Sequence, residues 1–206
     1  LEFVRQLAAR GDQVFATCRK PIDAIDLHDL RTQHPDLISI TELDVTDTNS
    51  VIESHKHIST QTDSLDMLIN NSGININDGS FESFDLEAMQ SILTVNSIAP
   101  MIVTQKYLKL IKMSSQPKII NISSINGSLT NLAPIGHYSY SASKAALNMY
   151  SLRLAYDLKA IGIIVIMIHP GWVKTDMGGP NADIIPQDSI KHMLQLFDPL
   201  TLDHTG

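Results

Sequence analysis

Residues 141–173 read "SASKAALNMYSLRLAYDLKAIGIIVIMIHPGWV". Two kinds of segment meet inside them. The spacing predicts a long helix over 141–162, closed by Gly162, the residue type that most readily takes the left-handed turn at a helix end. The next six residues, "IIVIMI" (163–168), are apolar at every position. A strand with one wet face would alternate polar and apolar, so this one reads as buried on both faces. Pro170 and Gly171 then make a turn. A helix leading directly into a doubly buried strand is the unit from which parallel sheets are built.

The pattern continues in both directions. Upstream, "KIINISS" (118–124) reads as a strand, and 86–113 as a long helix in which Pro100 predicts a kink or early break. "LDMLINNSG" (65–73) is a strand running into turn formers, and 46–60 opens with helix-capping residues. "LISITELDV" (37–45) reads as a strand ending at Asp44 and "QVFATCR" as another. "FVRQLAARG" is a helix stopped by Gly11. Downstream, 176–188 is rich in Gly and Pro and reads as a mobile lid, with a short amphipathic helix over 186–197. The expectation is an α/β fold, a doubly wound parallel sheet in a three-layer α/β/α sandwich, forming one domain over 1–206. Such sheets bind ligands beyond the carboxyl ends of their strands, where Arg19, Asp44, Asn71, Ser124 and Pro170 fall.

Composition narrows the function. Fifteen basic against 22 acidic residues leave a formal charge of −7, which argues against nucleic acid or an anionic membrane as partner. The single cysteine, Cys18, cannot form an internal disulfide and suits a reducing, cytoplasmic setting. The eight histidines show no metal-ligand spacing, so no metal site is expected. The run 163–168 is far short of the roughly 18 residues that span a bilayer, and no transmembrane segment is expected. Met149 and Met193 are expected in the core, and His169 packed at a strand end.

The chemistry concentrates in "YSYSASK" (138–144). Residues four apart share a helix face, which pairs Tyr140, not Tyr138, with Lys144. A lysine cation near a phenol lowers its pKa from about 10 and lets it exchange a proton with a substrate oxygen. Ser124, at the end of the preceding strand, can hydrogen-bond the same oxygen. Gly73 allows close backbone approach, and Asn96 is an indifferent helix former in the middle of a helix.

The set "NNSG", Asn96, "ISSING", "YSYSASK" and "PGWVKT", in this order, resembles the short-chain dehydrogenase/reductase family. "SKAALNM" and "HPGWVKTDMGGPNA" look like its branch of C-factor and sniffer-type carbonyl reductases. The resemblance implies an oxidoreductase moving a hydride between NADP(H) and a carbonyl or alcohol, with Tyr140 as acid/base and Lys144 lowering its pKa and binding the nicotinamide ribose. Ser124 would hold the carbonyl, and Asn96 would support a water linked to Lys144. Asp44 and Val45 would lie near the adenine, Asn71, Ser72 and Gly73 along its ribose, and Val173 and Thr175 by the carboxamide, with Pro170 and Gly171 shaping the turn. Arg19, assisted by Lys20, would favour NADP through its 2′-phosphate. A homo-oligomer, dimer or tetramer, is expected through the long helices.

Two family features are not found. The strand and T-G-x-x-x-G-x-G loop that cradle the pyrophosphate do not precede "LEFVRQLAARG", and the chain stops near where a last strand should begin. The chain therefore reads as an incomplete domain lacking its central strand and its last one. The alternatives are a non-catalytic signalling or binding member of the same fold, or an inactive truncated product.

Overall fold

The computed structural model describes residues 1–131 and 137–206. The chain runs through α1 (Glu2–Arg10), β1 (Val14–Cys18), α2 (Ile25–Gln33), β2 (Ile38–Glu42), α3 (Thr48–Ser59) and β3 (Met67–Asn70). A small hairpin of β4 (Gly79–Ser80) and β5 (Ser83–Phe84) follows, then α4 (Leu86–Leu93), a π-helical turn (Thr94–Ile98) and α5 (Ala99–Ile111). The remainder is β6 (Lys118–Ile122), α6 (Tyr138–Lys159), β7 (Ile164–Ile168) and α7 (Pro186–Phe197).

The strands pair in parallel, β1 with β2 and β3 with β6 with β7. Neighbouring residues of β6 show why both faces are apolar. Ile119 joins a core built from α3, α5 and α6, while Ile120 joins one built from α1 and α7, and both are fully buried. Successive strand residues point to opposite faces, so a strand covered by helices on both sides must be apolar throughout. The predicted doubly wound architecture is what forms.

The sheet is in two pieces. Among the described residues no ladder joins β1 to β3. A cavity of about 940 Å³ lies between them, lined by Phe15 and Thr17 of β1 and by Met67 and Ile69 of β3. This is the place where a central strand is expected. The helical layers bridge the gap. On one face α3 packs against α5. On the other, Phe3 of α1 stacks on Phe197 of α7 with ring centroids 6.4 Å apart, and Arg10 pairs with Asp198 at 2.8 Å.

Several sequence expectations change. The strand ending at Asp44 stops at Glu42, because Asp44 Oδ1 accepts the Thr46 N–H at 2.9 Å and turns the chain. Helix α2 escaped the reading, since its N-terminal residue Ala24 makes no side-chain cap and only Leu27 and Leu30 are buried. The kink expected at Pro100 becomes the π turn just before it, which absorbs the N–H that proline lacks. By length and composition Leu86–Ile111 is also apolar enough to cross a bilayer, which the reading missed. In the fold Val103, Tyr107, Leu110 and Ile111 explain that hydropathy, because they are buried in the core. Met193 is core as expected, but Met149 is exposed on α6 and His169 is exposed beyond β7. The segment expected as a lid carries internal contacts. Val173 bridges to Ile184, Lys174 N donates to Ile184 O at 2.8 Å, and Trp172 Nε1 donates to Gly178 O at 2.8 Å.

Candidate active site

Helix α6 carries both Tyr140 and Lys144, one turn apart. The Lys144 Nζ lies 5.8 Å from the centre of the Tyr140 ring and donates to the Ile122 carbonyl, at the end of β6, at 2.8 Å. Tyr138 points away, exposed against Phe84. Tyr140, not Tyr138, is thus the tyrosine that the fold sets beside Lys144.

The two serines after β6 separate cleanly. Ser123 is buried and its hydroxyl donates to Asn148 Oδ1 at 2.6 Å. Ser124 accepts the Asn126 N–H at 3.2 Å, opens the short 3-10 turn Ile125–Gly127, and faces the Tyr140 phenol. Gly127 lets that turn lie on α6. A Cβ there would come within 2.7 Å of the Lys144 carbonyl carbon and 2.9 Å of its oxygen, closer than packed atoms approach.

Asn96 is fully buried in the π turn, not exposed on a helix face. Its Oδ1 accepts the Ile74 N–H and its Nδ2 donates to the Ile74 carbonyl, both at 2.8 Å, pinning the strand exit after Gly73. Nδ2 also donates to Ser143 Oγ at 3.0 Å, and Ser143 donates to the Tyr140 carbonyl at 2.7 Å. The side chain is thus committed to the backbone and to α6. Pro100 has no N–H to return to the Asn96 carbonyl in α-helical register. A Cβ on Gly73 would lie 3.5 Å from Asn96 Oδ1 and 3.7 Å from Lys144 Nζ, so these three residues converge.

Burial dominates the electrostatics of this pair. Burial pushes the Tyr140 phenol above its ordinary value, with the Ser124 hydroxyl acting in the opposite direction. Lys144 is itself 4% exposed, and desolvation brings its ammonium down from 10.5 to about 8.

The residues expected to hold a cofactor form an arc along the carboxyl ends of the strands. Arg19 is exposed just after β1, near enough to help hold Asp44 below the usual carboxylate range, behind the larger effect of the Thr46 hydrogen bonds. Lys20 is exposed beside it. Val45, Asn71 and Ser72 line the cavity between β1 and β3, whereas Tyr140, Lys144 and Ser124 lie outside it. Beyond β7, Pro170 accepts a hydrogen bond from Ser189 Oγ at 2.6 Å. Gly171 has φ 85°, and a Cβ there would strike Ile184. Thr175 is exposed, its hydroxyl accepting the Gly178 N–H at 3.1 Å, and Val173 is held by Ile184. No group of three or more metal-ligating side chains occurs among the described residues. Ser143, Asn148 and Gly127 went unnoticed in the sequence. Only the short G in "ISSING" and the run of small residues on α6 hinted at close packing.

A family model described as short chain dehydrogenase matches residues 1–184. The chain is 36% identical to C-signal of Myxococcus xanthus over 145 residues, covering 70% of this chain and 87% of that protein. In three dimensions it matches the NADPH-bound carbonyl reductase from chicken fatty liver at a TM-score of 0.93 and 34% identity, covering 99% of this chain and 88% of the other. It also matches the carbonyl reductase Sniffer of D. melanogaster at 0.94 and 29% identity, with the same coverage.

Proposed function

The chain belongs to the short-chain dehydrogenase family, and from that premise we propose that it is an NADP(H)-dependent reductase of carbonyl compounds, reversible toward alcohols. The single observation that carries the reading is the convergence of Tyr140, Ser124 and Lys144 on one face of α6 at the end of β6. When bound, NADP(H) supplies or takes up the hydride. The likeness to a reductase that binds NADPH supports this cofactor.

The chain's own residues fit the cofactor. Arg19 offers a guanidinium to a 2′-phosphate, with Lys20 beside it. Asp44 and Val45 would flank the adenine, and Asn71, Ser72 and the Cβ-free Gly73 would border its ribose. Lys144 would bond the nicotinamide ribose, and Val173 and Thr175, on the turn shaped by Pro170 and Gly171, would meet the carboxamide. A pyrophosphate needs a Gly-rich turn at a helix N-terminus. The cavity between β1 and β3 has room for the parallel strand that would deliver one, and we assign it that role.

In reduction, Tyr140 donates its proton to the carbonyl oxygen as negative charge builds there. Ser124 donates a hydrogen bond to the same oxygen. A phenol held protonated by burial is a competent acid, and an ammonium near 8 can resupply the proton at neutral pH. The exposed side chains Ile102, Met149, Leu152 and Tyr156 on α5 and α6 support assembly into a homo-oligomer through these helices.

The test is NADPH oxidation by this chain, preceded by a strand and Gly-rich turn, over aldehydes, ketones and quinones. Turnover that disappears in Tyr140→Phe is the expected result. No oxidation with any carbonyl, or turnover indifferent to Tyr140, overturns the reading.

A further inference from the structure

Helix α6 begins without a cap of its own. Its N-terminal residue, His137, makes no side-chain hydrogen bond to the first turn. Four N–H groups at a helix start need acceptors, and Ser, Thr, Asp or Asn at this position is the usual source. Here the acceptor comes from 61 residues away. Asp78 Oδ2 accepts the Ser139 N–H at 2.6 Å, and Asp78 Oδ1 lies 3.3 Å from His137 Nδ1.

Asp78 is fully buried, at 0% exposure. Aspartate is almost never buried to that degree unless something compensates its charge. The positive end of α6 and the Ser139 N–H do so. The main chain of Asp78 is fixed as well. Its carbonyl accepts the Asp85 N–H at 3.1 Å, and the β4–β5 hairpin closes beside it, with Gly79 at φ 89° where a side chain would strike Ser83. Phe84 of that hairpin meets Tyr138 edge-on at 5.2 Å.

The same short segment touches α6 a second time. At its other end Ile74 is held through both N–H and carbonyl by Asn96, and Asn96 reaches the Tyr140 carbonyl through Ser143. Residues 74–78 therefore clamp α6 at two points, Ser139 and Ser143, and Tyr140 lies between them.

We propose that Asp78 is a positioning residue for Tyr140, a carboxylate lent by the 74–78 segment as the missing N-terminal cap of α6, paired with Asn96 as the second clamp. The inference rests on the reading of Tyr140 as the acid, but its test does not depend on turnover.

The experiment compares Asp78→Asn, Asp78→Ala and the unaltered chain. Hydrogen exchange of the Ser139 and Tyr140 amides is measured, together with the tyrosinate absorbance titration of Tyr140, isolated by subtracting the corresponding Tyr140→Phe variants. Expected is a loss of protection at these two amides of roughly tenfold in Asp78→Ala, the size of a typical lost cap, with amides after Ser151 unchanged. In Asp78→Asn, which keeps an acceptor but no charge, protection falls less. The Tyr140 titration moves to higher pH in both, because a phenol that shifts with its helix loses the Ser124 hydroxyl that acts against burial. Should the alanine variant not fold, the asparagine variant carries the same two readouts. Unchanged protection and titration overturn the proposal, as does a protection loss spread evenly over α6. If the two local signals change as expected while even the unaltered chain reduces no carbonyl, the clamp stands and the enzymatic reading falls.

Discussion

The two sides of the sheet gap are held together differently. On the β6–β7 side, side-chain hydrogen bonds tie β3, β6, α5 and α6 into one body. Asn70 donates to Thr104 at 3.1 Å and to Asn121 at 2.8 Å, and Asn121 donates to Ser151 at 2.8 Å, beneath the Asn96–Ser143–Tyr140 chain. On the β1–β2 side, a small cluster of Ala8, Ala16, Leu27, Leu30 and Ile38 does most of the packing, and β1 turns an unpaired edge to the cavity. Directional bonds fix positions to fractions of an ångström, whereas apolar contact fixes only proximity. The difference teaches that the residues proposed for proton transfer are fixed within one half, while the half proposed to hold the nucleotide depends on what fills the gap.

The most severe way to break this contrast is Tyr140→Phe. It should lower kcat by about 10²–10⁴-fold with NADPH affinity and Tm nearly unchanged, as read by steady-state kinetics and calorimetry. A mild effect would mean that the well-ordered half is not the reactive one. Filling the gap comes next. A preceding strand that pairs both exposed edges should raise Tm by on the order of 10 °C, seen by thermal denaturation. An unchanged Tm would show that the two halves are already as stable apart as joined.

Gly127→Ala should cost about 2 kcal/mol in urea unfolding, because its methyl would press on the Lys144 main chain. It tests whether the tight half tolerates any slack. Arg19→Ser probes the looser half and should weaken NADPH about tenfold relative to NADH in fluorescence titrations, the scale of one charge-assisted hydrogen bond. The smallest effect concerns pH. Lys144 is held at about 8 in the fold against 10.5 ordinarily. Between those values the unfolded chain binds the proton that the folded chain has released, so stability rises with pH across that window and is flat below it. From pH 8 to 9.5 the gain should be on the order of 1 kcal/mol, and Lys144→Met should abolish it. Tyr140, raised by burial, acts in the opposite sense once the unfolded phenol begins to lose its proton near 10, so the Lys144 gain is read below that pH.

Much of the site was legible because its spacing is local. Tyr140 and Lys144 share a helix face by arithmetic alone, and the strand ends that carry Arg19, Asn71 and Ser124 follow from apolar runs. Ser143 and Ser151 were not legible. They belong to a buried stripe with Leu147, Ala155 and Leu158, yet as serines they erase the amphipathic signal that would reveal burial. Their burial is tolerable only because Asn96 and Asn121 arrive from other elements to bond them.

Sequence by itself determined the alternation of helices with doubly buried strands, the pairing of Tyr140 with Lys144 on one helix face and the family to which the chain belongs, since each rests on periodicity or order along the chain. Tertiary structure alone decided that Tyr140 sits against Ser124, that Asn96 grips Ile74, and that Asp78 accepts an N–H at the start of the helix of Tyr140. Desolvation and long-range hydrogen bonds depend on which distant residues the fold brings together, and no spacing along a chain records that.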